Sequence, residues 1–334
     1  MSMISLPAGA RRGFLAGLTR NLAQLLSALL LALAATASDP LRGAAADPLT
    51  FAVIGDIPYD EEEFPLLRRQ IAELDAPVAF LLHVGDIKRS TVPFREDDYR
   101  RVGEELRRSK VPVFITPGDN EYNDAQDPAL AWSYWKKHFG DLPAPWPDAP
   151  PYRRQAERPE NVAFVHRGVL FVMVNLVGGR LQSRQEWTDR MADDARWVQD
   201  AFARDGAAVR AAVVVGHAHP VGLRQPFADV FLPVAAKFAK PVLYLHGDGH
   251  RWIKNRPFAA APNVLRVQVD QGGIAPPVRV TVAESGADGE LFEFDRRLTE
   301  EYDARRAAYD ARAKAQRAGK AAAPVSPPAK QPGK

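Results

Sequence analysis

The chain has 334 residues, and none of them is cysteine. Disulfide bonds, thiolate catalysis and cysteine-ligated zinc are therefore excluded. A metal ion would have to be held by histidine, aspartate, glutamate, asparagine or backbone oxygen, and such ligands suit Mn, Fe, Zn, Mg or Ca. The absence of cysteine therefore limits the possible metal ligands but does not exclude a metal site.

The chain also lacks a strong charge imbalance. Its formal net charge is +3, and its sequence pI is about 9.1. Much of the positive excess lies at the termini, and no basic stripe interleaved with aromatic residues runs through the middle. No specific nucleic-acid partner is therefore predicted. An internal repeat of solenoid length is missing as well.

A single long apolar run occurs near the N-terminus. Two arginines at residues 11–12 precede the run LLSALLLALAATA at residues 25–37. A basic start, an apolar stretch and small residues at 35–37 or 44–46 are typical of an export signal. The segment RRGFLAG resembles the twin-arginine type, and a Sec signal or an uncleaved anchor is the alternative. We predict that residues 1–46 direct export to the periplasm or cell exterior, with no transmembrane span in the mature chain.

The C-terminus has a different composition from the rest of the chain. Residues 299–334 are charged and rich in alanine, and the segment EEYDARRAAYDARAKAQRAGK is helical in character. The final stretch AAAPVSPPAKQPGK contains too few apolar side chains to form a packed core. We therefore expect residues 299–334 to be a solvated tail, helical and then disordered, which leaves residues 47–298 as the folded domain.

Within residues 47–298, apolar runs alternate with amphipathic segments. The runs LTFAVIGD, PVAFLLHVGD and KVPVFITPGD each end in glycine and aspartate, and the segments EEEFPLLRRQIAEL and REDDYRRVGEELRRS separate them. Strand and helix alternating at this spacing predict βαβ units and a parallel sheet. Asp127 and Pro128 predict the cap and first residue of a further helix. Arg167 and Gly168 predict a turn between two strands.

Five apolar runs end in residue types that bind metals. The junctions are Gly55-Asp56, Gly85-Asp86, Gly118-Asp119-Asn120, Gly216-His217 and Gly247-Asp248-Gly249-His250. Ligands of open α/β sheets bind beyond the carboxyl ends of the strands, and glycine allows a sharp turn there. The pattern predicts that these side chains converge on one cation site. Helix capping is the alternative for Asp56, Asp86 and Asp119, and His219 is close enough to compete with His217.

This order of junctions resembles the calcineurin-like metallophosphoesterase family across nearly all of residues 49–297. The family pattern is Asp-x-His, Gly-Asp-x-x-Asp, Gly-Asn-His-Asp/Glu, an isolated His and Gly-His-x-His. The resemblance implies a single-domain, four-layer α/β/β/α sandwich with a metal site between the ends of two sheets. It also implies one or two divalent ions (Mn, Fe, Zn or Mg). The implied activity is hydrolysis of a small phosphomonoester or phosphodiester by a metal-bound water.

Carried over position by position, the resemblance assigns roles to individual residues. The implied metal ligands are Asp56, Asp86, Asp119, His217, Asp248 and His250. Asp86 would bridge two ions, and Asn120 stands where the family has its catalytic histidine. Asp86 and Asn120 are therefore the predicted catalytic residues. The candidates for contact with the phosphate group are Lys88, Arg89, Asn120 and Arg251.

The sequence departs from the family pattern at three positions, and two of them, Pro58 and Asn120, favour a different function. Pro58 stands where the histidine of Asp-x-His would be, and proline cannot ligate a metal. Arg89 replaces the distal aspartate of Gly-Asp-x-x-Asp. The amide of Asn120 does not titrate near neutrality as an imidazole does. The alternative is a catalytically degenerate protein of the same fold, which binds metal, phosphate or a protein partner without turnover.

Overall fold

The computed structural model describes residues 48–91, 93–284 and 290–322, with side chains described as far as residue 315. The predicted export signal in residues 1–46 lies outside these ranges, as does the end of the predicted tail in residues 323–334. Across the described ranges, no helix is both long enough and apolar enough to span a membrane.

The strands of the described residues form two sheets. They are β1 Leu49–Ile54, β2 Val78–His83, β3 Val113–Ile115, β4 Tyr152–Arg154, β5 Val162–His166, β6 Val169–Met173, β7 Ala211–Val215, β8 Val242–His246, β9 Ile253–Asn255, β10 Val264–Gln268, β11 Val278–Val282 and β12 Phe292–Asp295. The first sheet has the order β12-β11-β1-β2-β3, and the second has the order β4-β5-β6-β7-β8-β10-β9. Strands β1 to β3 run parallel, as do β6, β7, β8 and β10. The predicted parallel pairing is therefore present in both sheets.

Helices cover the outer faces of both sheets. They are α1 Phe64–Ala72, α2 Glu96–Leu106, α3 Pro128–Phe139, α4 Arg184–Asp205, α5 Gln225–Phe238 and α6 Glu300–Ala322. Leu67 of α1, Val102 of α2 and Phe139 of α3 pack in the apolar cluster outside the first sheet. Met191 of α4 and Phe231 of α5 pack in the cluster outside the second sheet. Each sheet therefore has its own helical layer.

A third apolar cluster fills the space between the two sheets. Phe51 and Phe80 of the first sheet contact Phe171 of the second edge-on, with ring centroids 5.2 and 5.1 Å apart. Aromatic pairs in this geometry stabilise a core beyond the effect of their buried area. The layers follow the order helix, sheet, sheet, helix. The predicted single-domain, four-layer α/β/β/α sandwich is thereby confirmed.

Two short sequence motifs form the cap and the turn that they predict. The Asp127 carboxylate accepts a hydrogen bond from the Leu130 N–H at 3.0 Å, and Pro128 opens α3. Arg167 and Gly168 join β5 to β6 with φ angles of 46° and 69°. These two interpretations of short motifs are therefore correct.

Helix α6 differs from the solvated tail that its composition suggested. Tyr302, in its first turn, is buried in the same apolar cluster as α1. Gln70 of α1 lies 3.3 Å from the Tyr302 hydroxyl, and Arg69 pairs with Glu301 at 2.8 Å. The segment is helical as predicted, but its first turn is packed on the domain. One buried aromatic ring supplies the contact that overall composition does not reveal.

Candidate metal centre

The turns after five strands meet at one edge of the sandwich. Because β1, β2 and β3 run parallel, their carboxyl ends share one edge of the first sheet, and those of β7 and β8 share one edge of the second. His217 Nδ1 lies 2.7 Å from Val84 O, which links the two sheets. The Gly247 N–H donates to His217 O at 2.9 Å. The two edges are thus held against each other.

One group of ligand atoms belongs to Asp56, Asp86 and His217. All three side chains are buried, and one ligand atom of each lies within 4.8 Å of the others. His250 lies beside this group, with its Nε2 3.1 Å from Asp56 Oδ1. The Tyr59 hydroxyl lies 3.2 Å from Asp56 Oδ1, 2.9 Å from Asp86 Oδ2 and 3.0 Å from His250 Nε2. Carboxylate, imidazole and phenol groups therefore surround one small volume.

A second group overlaps the first through His217. Buried Asp119, buried His217 and exposed Asp248 place one ligand atom each within 4.8 Å of one another. His217 Nε2 lies 2.9 Å from Asp119 Oδ1 and 3.4 Å from Asp86 Oδ1. The structure thus brings together all the residues implied as metal ligands, namely Asp56, Asp86, Asp119, His217, Asp248 and His250.

Buried atoms without hydrogen-bond partners test whether a metal fits these residues. Asp56 Oδ2, Asp119 Oδ1 and His217 Nε2 are such atoms. The contact between His217 Nε2 and Asp119 Oδ1 is short, yet it does not have hydrogen-bond geometry. His217 Nδ1 faces a carbonyl oxygen and can donate its proton to it, so loss of the other ring proton would leave the Nε2 lone pair for a cation. Buried polar atoms are rarely left unpaired, and a coordinated cation would satisfy all three.

The cluster concentrates buried negative charge. Burial raises the pKa of Asp86 well above its usual range, and Asp119 adds to the effect, although His217 opposes it. Burial by itself would lower the pKa of His217, but the carboxylates of Asp86 and Asp119 outweigh it and raise that pKa well above its usual value. Bound cations are often the largest local charge at such sites. A divalent cation would therefore compensate the acids directly.

The backbone is strained at the positions of the ligands. Asp56, Asp86, Asp248 and His250 have φ angles of 56°, 61°, 66° and 58°, the left-handed region that residues with a side chain rarely adopt. We expected the preceding glycines to make these turns. Of the junction glycines only Gly85 has a positive φ, at 91°. Four of the candidate ligands therefore make the turns themselves, and strain of this kind clusters at functional sites.

The junction glycines allow neighbouring turns to pack closely. A Cβ atom on Gly118 would lie 2.2 Å from Asp86 Oδ1 and 2.3 Å from Asp86 N. A Cβ atom on Gly247 would lie 2.4 Å from Asp56 Oδ2. Neither separation leaves room for a side chain. Glycine is required at both positions because a backbone segment passes directly against a ligand carboxylate.

Asn120 and Glu121 hold the Asp86 turn in place. The Asn120 N–H donates to Asp86 Oδ1 at 3.0 Å, and Asn120 Nδ2 donates to Asp86 Oδ2 at 2.6 Å. The buried Glu121 carboxylate accepts from the backbone N–H groups of Asp86 at 3.1 Å and Gly118 at 2.8 Å. Asp86 is therefore oriented through both its side chain and its backbone.

Helix capping does not explain the three aspartates. The N-cap positions of α1, α2 and the short π-helical turn Asp119–Asn123 are occupied by Glu63, Arg95 and Gly118. Asp56 and Asp86 lie upstream of these caps, and their carboxylates contact the Tyr59 hydroxyl. The geometry thus favours the metal-binding interpretation over the capping alternative.

A cavity of about 260 Å³ opens beside the cluster. Its lining residues are Tyr59, Asp86, Arg89, Ser90, Thr91, Asp119, Asn120, Asp248 and His250. Arg89 and Asn120 are the two phosphate candidates among them. The Arg89 guanidinium pairs with Asp60 at 3.3 Å and lies 5.3 Å from the centre of the Tyr59 ring. A cation and an amide therefore face the same cavity as the metal ligands.

The other predicted contacts point elsewhere. Lys88 Nζ lies 3.8 Å from the centre of the Phe94 ring and donates to Arg89 O at 3.0 Å. Arg251 pairs with Asp310 of α6 at 2.7 Å. Neither residue lines the cavity at the cluster. His219, the predicted competitor of His217, belongs to neither ligand group.

Sequence reasoning missed Tyr59, Glu121 and Tyr309. Tyr59 follows Asp56 by three residues, and Glu121 directly follows Asn120, so their closeness to predicted ligands is a usable signal. Tyr309 lies on α6, and its hydroxyl contacts His250 Nδ1 at 3.0 Å. No local pattern connects residues so far apart in the chain. Only the packing of α6 reveals this contact.

No protein-family model matches the chain, and no curated protein matches it. Three solved structures illustrate what it is similar to. GAP50, the anchor in the inner membrane complex of Plasmodium, is 11% identical with a TM-score of 0.49, and the match covers 76% of this chain and 90% of GAP50. Purple acid phosphatase PPD1 from yellow lupin (Lupinus luteus) seeds is 11% identical with a TM-score of 0.49, and the match covers 77% of this chain and 55% of the phosphatase. TT1561 of Thermus thermophilus is 10% identical with a TM-score of 0.45, and the match covers 74% of this chain and 98% of TT1561. With TM-scores below 0.5, these likenesses show nothing about the activity of this chain.

Proposed function

We propose that the chain is an exported, metal-dependent phosphoesterase that hydrolyses a small phosphomonoester or phosphodiester. The observation that carries the proposal is the set of buried, unpartnered ligand atoms beneath a cavity that Arg89 and Asn120 line. The order of the five junctions, which resembles the metallophosphoesterase pattern, supports it further. Support for export comes from the composition of residues 1–46 alone.

The ligand residues would hold one or two divalent ions. Asp56, Asp86 and His250 would bind on one side, while Asp119, His217 and Asp248 would bind on the other. A bound cation would screen the phosphate charge and acidify a water molecule. Asp86 lies between the two groups, with Oδ2 near Tyr59 and Oδ1 near His217. The Asp86 carboxylate is therefore placed to bind a cation on either side.

Arg89 and Asn120 would orient the substrate. The ion pair of Arg89 with Asp60 is exposed, and such pairs contribute little stability. The guanidinium can therefore exchange Asp60 for a phosphoryl oxygen at little cost, and its planar fork matches phosphate well. Asn120 Nδ2 already donates to Asp86 at the cavity wall. An amide at this position binds a phosphoryl oxygen without transferring a proton.

Binding without turnover is a second candidate function. The observation that favours it is the identity of Asn120, whose amide cannot protonate a leaving group. In this case the same cluster would capture a metal ion together with phosphate. Both functions require the metal site, so metal binding does not distinguish them. Turnover does.

Phosphate-ester hydrolysis in the presence of Mn²⁺ tests the proposal. The full chain should release p-nitrophenol from mono- or bis-p-nitrophenyl phosphate, and chelation should stop the release. Asp86→Asn should reduce the rate by more than the 10–100-fold that is typical of residues outside a ligand shell. The matched control is Asp97→Asn, on an exposed face of α2, where Asp97 pairs with Arg100 at 2.6 Å.

Each result of this assay has a clear meaning. Equal rates in Asp86→Asn and the parent chain would contradict the assignment of Asp86. Metal bound at about one or two ions per chain without any release would favour the second candidate. Absence of bound metal and of release together would overturn both functions.

A further inference from the structure

We propose that Tyr59 is a direct ligand of the metal ion held by Asp56, Asp86 and His250. This inference rests on the proposed metal site but not on turnover. Pro58 occupies the position from which the metallophosphoesterase pattern supplies a histidine. Tyr59, the next residue, directs its oxygen into the group of ligand atoms instead. A phenol oxygen would therefore replace a missing imidazole.

The distances around the Tyr59 hydroxyl match one coordination shell. Octahedral coordination with bonds of about 2.1 Å places neighbouring ligand atoms about 3.0 Å apart. The hydroxyl oxygen lies 3.2 Å from Asp56 Oδ1, 2.9 Å from Asp86 Oδ2 and 3.0 Å from His250 Nε2. His250 Nε2 and Asp56 Oδ1 are 3.1 Å apart. Four separations of this size are those of ligands around one ion.

Hydrogen bonding explains the contacts of the Tyr59 hydroxyl less well than coordination of one metal ion does. A phenol has one proton to donate, yet the Tyr59 oxygen faces carboxylate oxygens of both Asp56 and Asp86. The second contact would then need a proton on one of the two carboxyl groups. Asp56 Oδ2 also has no partner of its own. A cation attracts all of these oxygens at once.

Burial and contacts with neighbouring residues fix the position of the Tyr59 side chain. The side chain is buried, with 5% of its surface exposed. Its backbone N–H donates to Glu63 Oε2 at 2.7 Å, and its ring lies edge-on to His250 with centroids 5.4 Å apart. The Arg89 guanidinium lies near the ring face. The hydroxyl is therefore fixed by contacts on several sides, as a preorganised ligand requires.

Calorimetric titration of the full chain with Mn²⁺ gives the first test. Tyr59→Phe should weaken metal binding at least about tenfold, since even partners outside the ligand shell contribute 10–100-fold. Tyr302→Phe is the matched control, because it also removes a buried hydroxyl, one that lies 3.3 Å from Gln70. That variant should bind Mn²⁺ as the parent chain does. Thermal melting of the metal-free variants checks that both are folded.

Absorption of the ferric-loaded chain gives a second test. A phenolate bound to Fe³⁺ produces a charge-transfer band in the visible range, whereas a phenol that only donates a hydrogen bond does not. The parent chain and Tyr302→Phe should show the band, and Tyr59→Phe should lose it. The measurement on the parent chain is informative even if Tyr59→Phe does not fold.

The outcomes separate this inference from the proposed function. Unchanged or tighter Mn²⁺ binding in Tyr59→Phe, or a colourless ferric-loaded parent chain, would overturn the role of Tyr59. Tighter binding would mean that the hydroxyl occupies the position of an ion. Both tests are made without substrate, so a failure of phosphate-ester hydrolysis leaves them unaffected.

Discussion

At the residue scale, the candidate metal centre depends on backbone conformations that residues other than glycine usually avoid. Asp56, Asp86, Asp248 and His250 all have positive φ angles. Each such conformation costs on the order of 1 kcal/mol or more and persists only where its surroundings enforce it. Around Asp86 the surroundings are the hydrogen bonds from Asn120 and to Glu121. The fold therefore enforces strained backbone conformations that leave the candidate ligands arranged for a cation.

Gly118→Ala tests how tightly the Asp86 turn is packed. The added Cβ would overlap Asp86 N and Oδ1, and the backbone nitrogen cannot rotate away. We expect the free energy of unfolding to fall by about 1–3 kcal/mol and Mn²⁺ affinity to fall at least tenfold. Denaturant unfolding and calorimetry measure the two effects.

A control for that substitution is Gly206→Ala at the end of α4. A Cβ there would meet only the Phe238 ring at 3.5 Å, and Gly206 has an ordinary φ of −58°. Both stability and metal affinity should remain close to those of the parent chain. Equal behaviour of the two alanine variants would show that Gly118 has no special role.

At the element scale, helix α6 holds the turn that carries His250. The Tyr309 hydroxyl contacts His250 Nδ1 at 3.0 Å, and Arg306 Nη1 donates to His250 O at 2.9 Å. Asp310 pairs with Arg251 at 2.7 Å. Contacts that orient a metal-binding histidine through its second nitrogen commonly affect metal affinity. A segment expected to be a solvated tail thus supports one side of the centre.

Truncation of the chain after residue 298 tests this role of α6. We expect Mn²⁺ affinity to fall about 10–100-fold, together with a lower melting temperature, because the buried Tyr302 ring is lost. Calorimetry and thermal melting measure the two changes. A chain that ends at Ala322 retains α6 and should behave as the full chain does. Equal affinity in the two truncated chains would refute the supporting role.

At the scale of the whole molecule, the packing of two sheets assembles the centre. Asp56, Asp86 and Asp119 follow strands of the first sheet, whereas His217 and His250 follow strands of the second. Asp248 also follows a strand of the second sheet, so each sheet supplies three of the six candidate ligands and neither supplies the whole set. The apolar cluster between the sheets sets the separation of these groups. The candidate metal site is therefore assembled by the packing of the two sheets rather than by any single motif.

The proposed export of the protein is also a property of the whole chain. Residues 1–46 carry the basic start, apolar run and small residues of an export signal. We expect the periplasmic protein to begin after Ala37 or Ala46. N-terminal sequencing of protein from that compartment measures the cleavage position. Soluble cytoplasmic protein that retains Met1 would contradict export.

The sequence by itself determined the elements and the strand ends at which the polar junctions lie. Alternating apolar runs and amphipathic segments specify strands and helices locally, and Asp127 caps its helix as predicted. Parallel strands of one sheet place their carboxyl ends together, so the junctions after β1, β2 and β3 share one edge and those after β7 and β8 share another. Periodicity and capping act over a few residues, which is why they can be read directly from the chain.

Tertiary structure decided which side chains reach the centre. Arg89 lines the cavity whereas Arg251 pairs with Asp310, and both are arginines beside predicted ligands. Tyr59 and Tyr309 contact His250 from different sides. Side-chain direction and contacts between distant segments depend on the packing of the whole sandwich. They are long-range properties, and no local pattern in the sequence contains them.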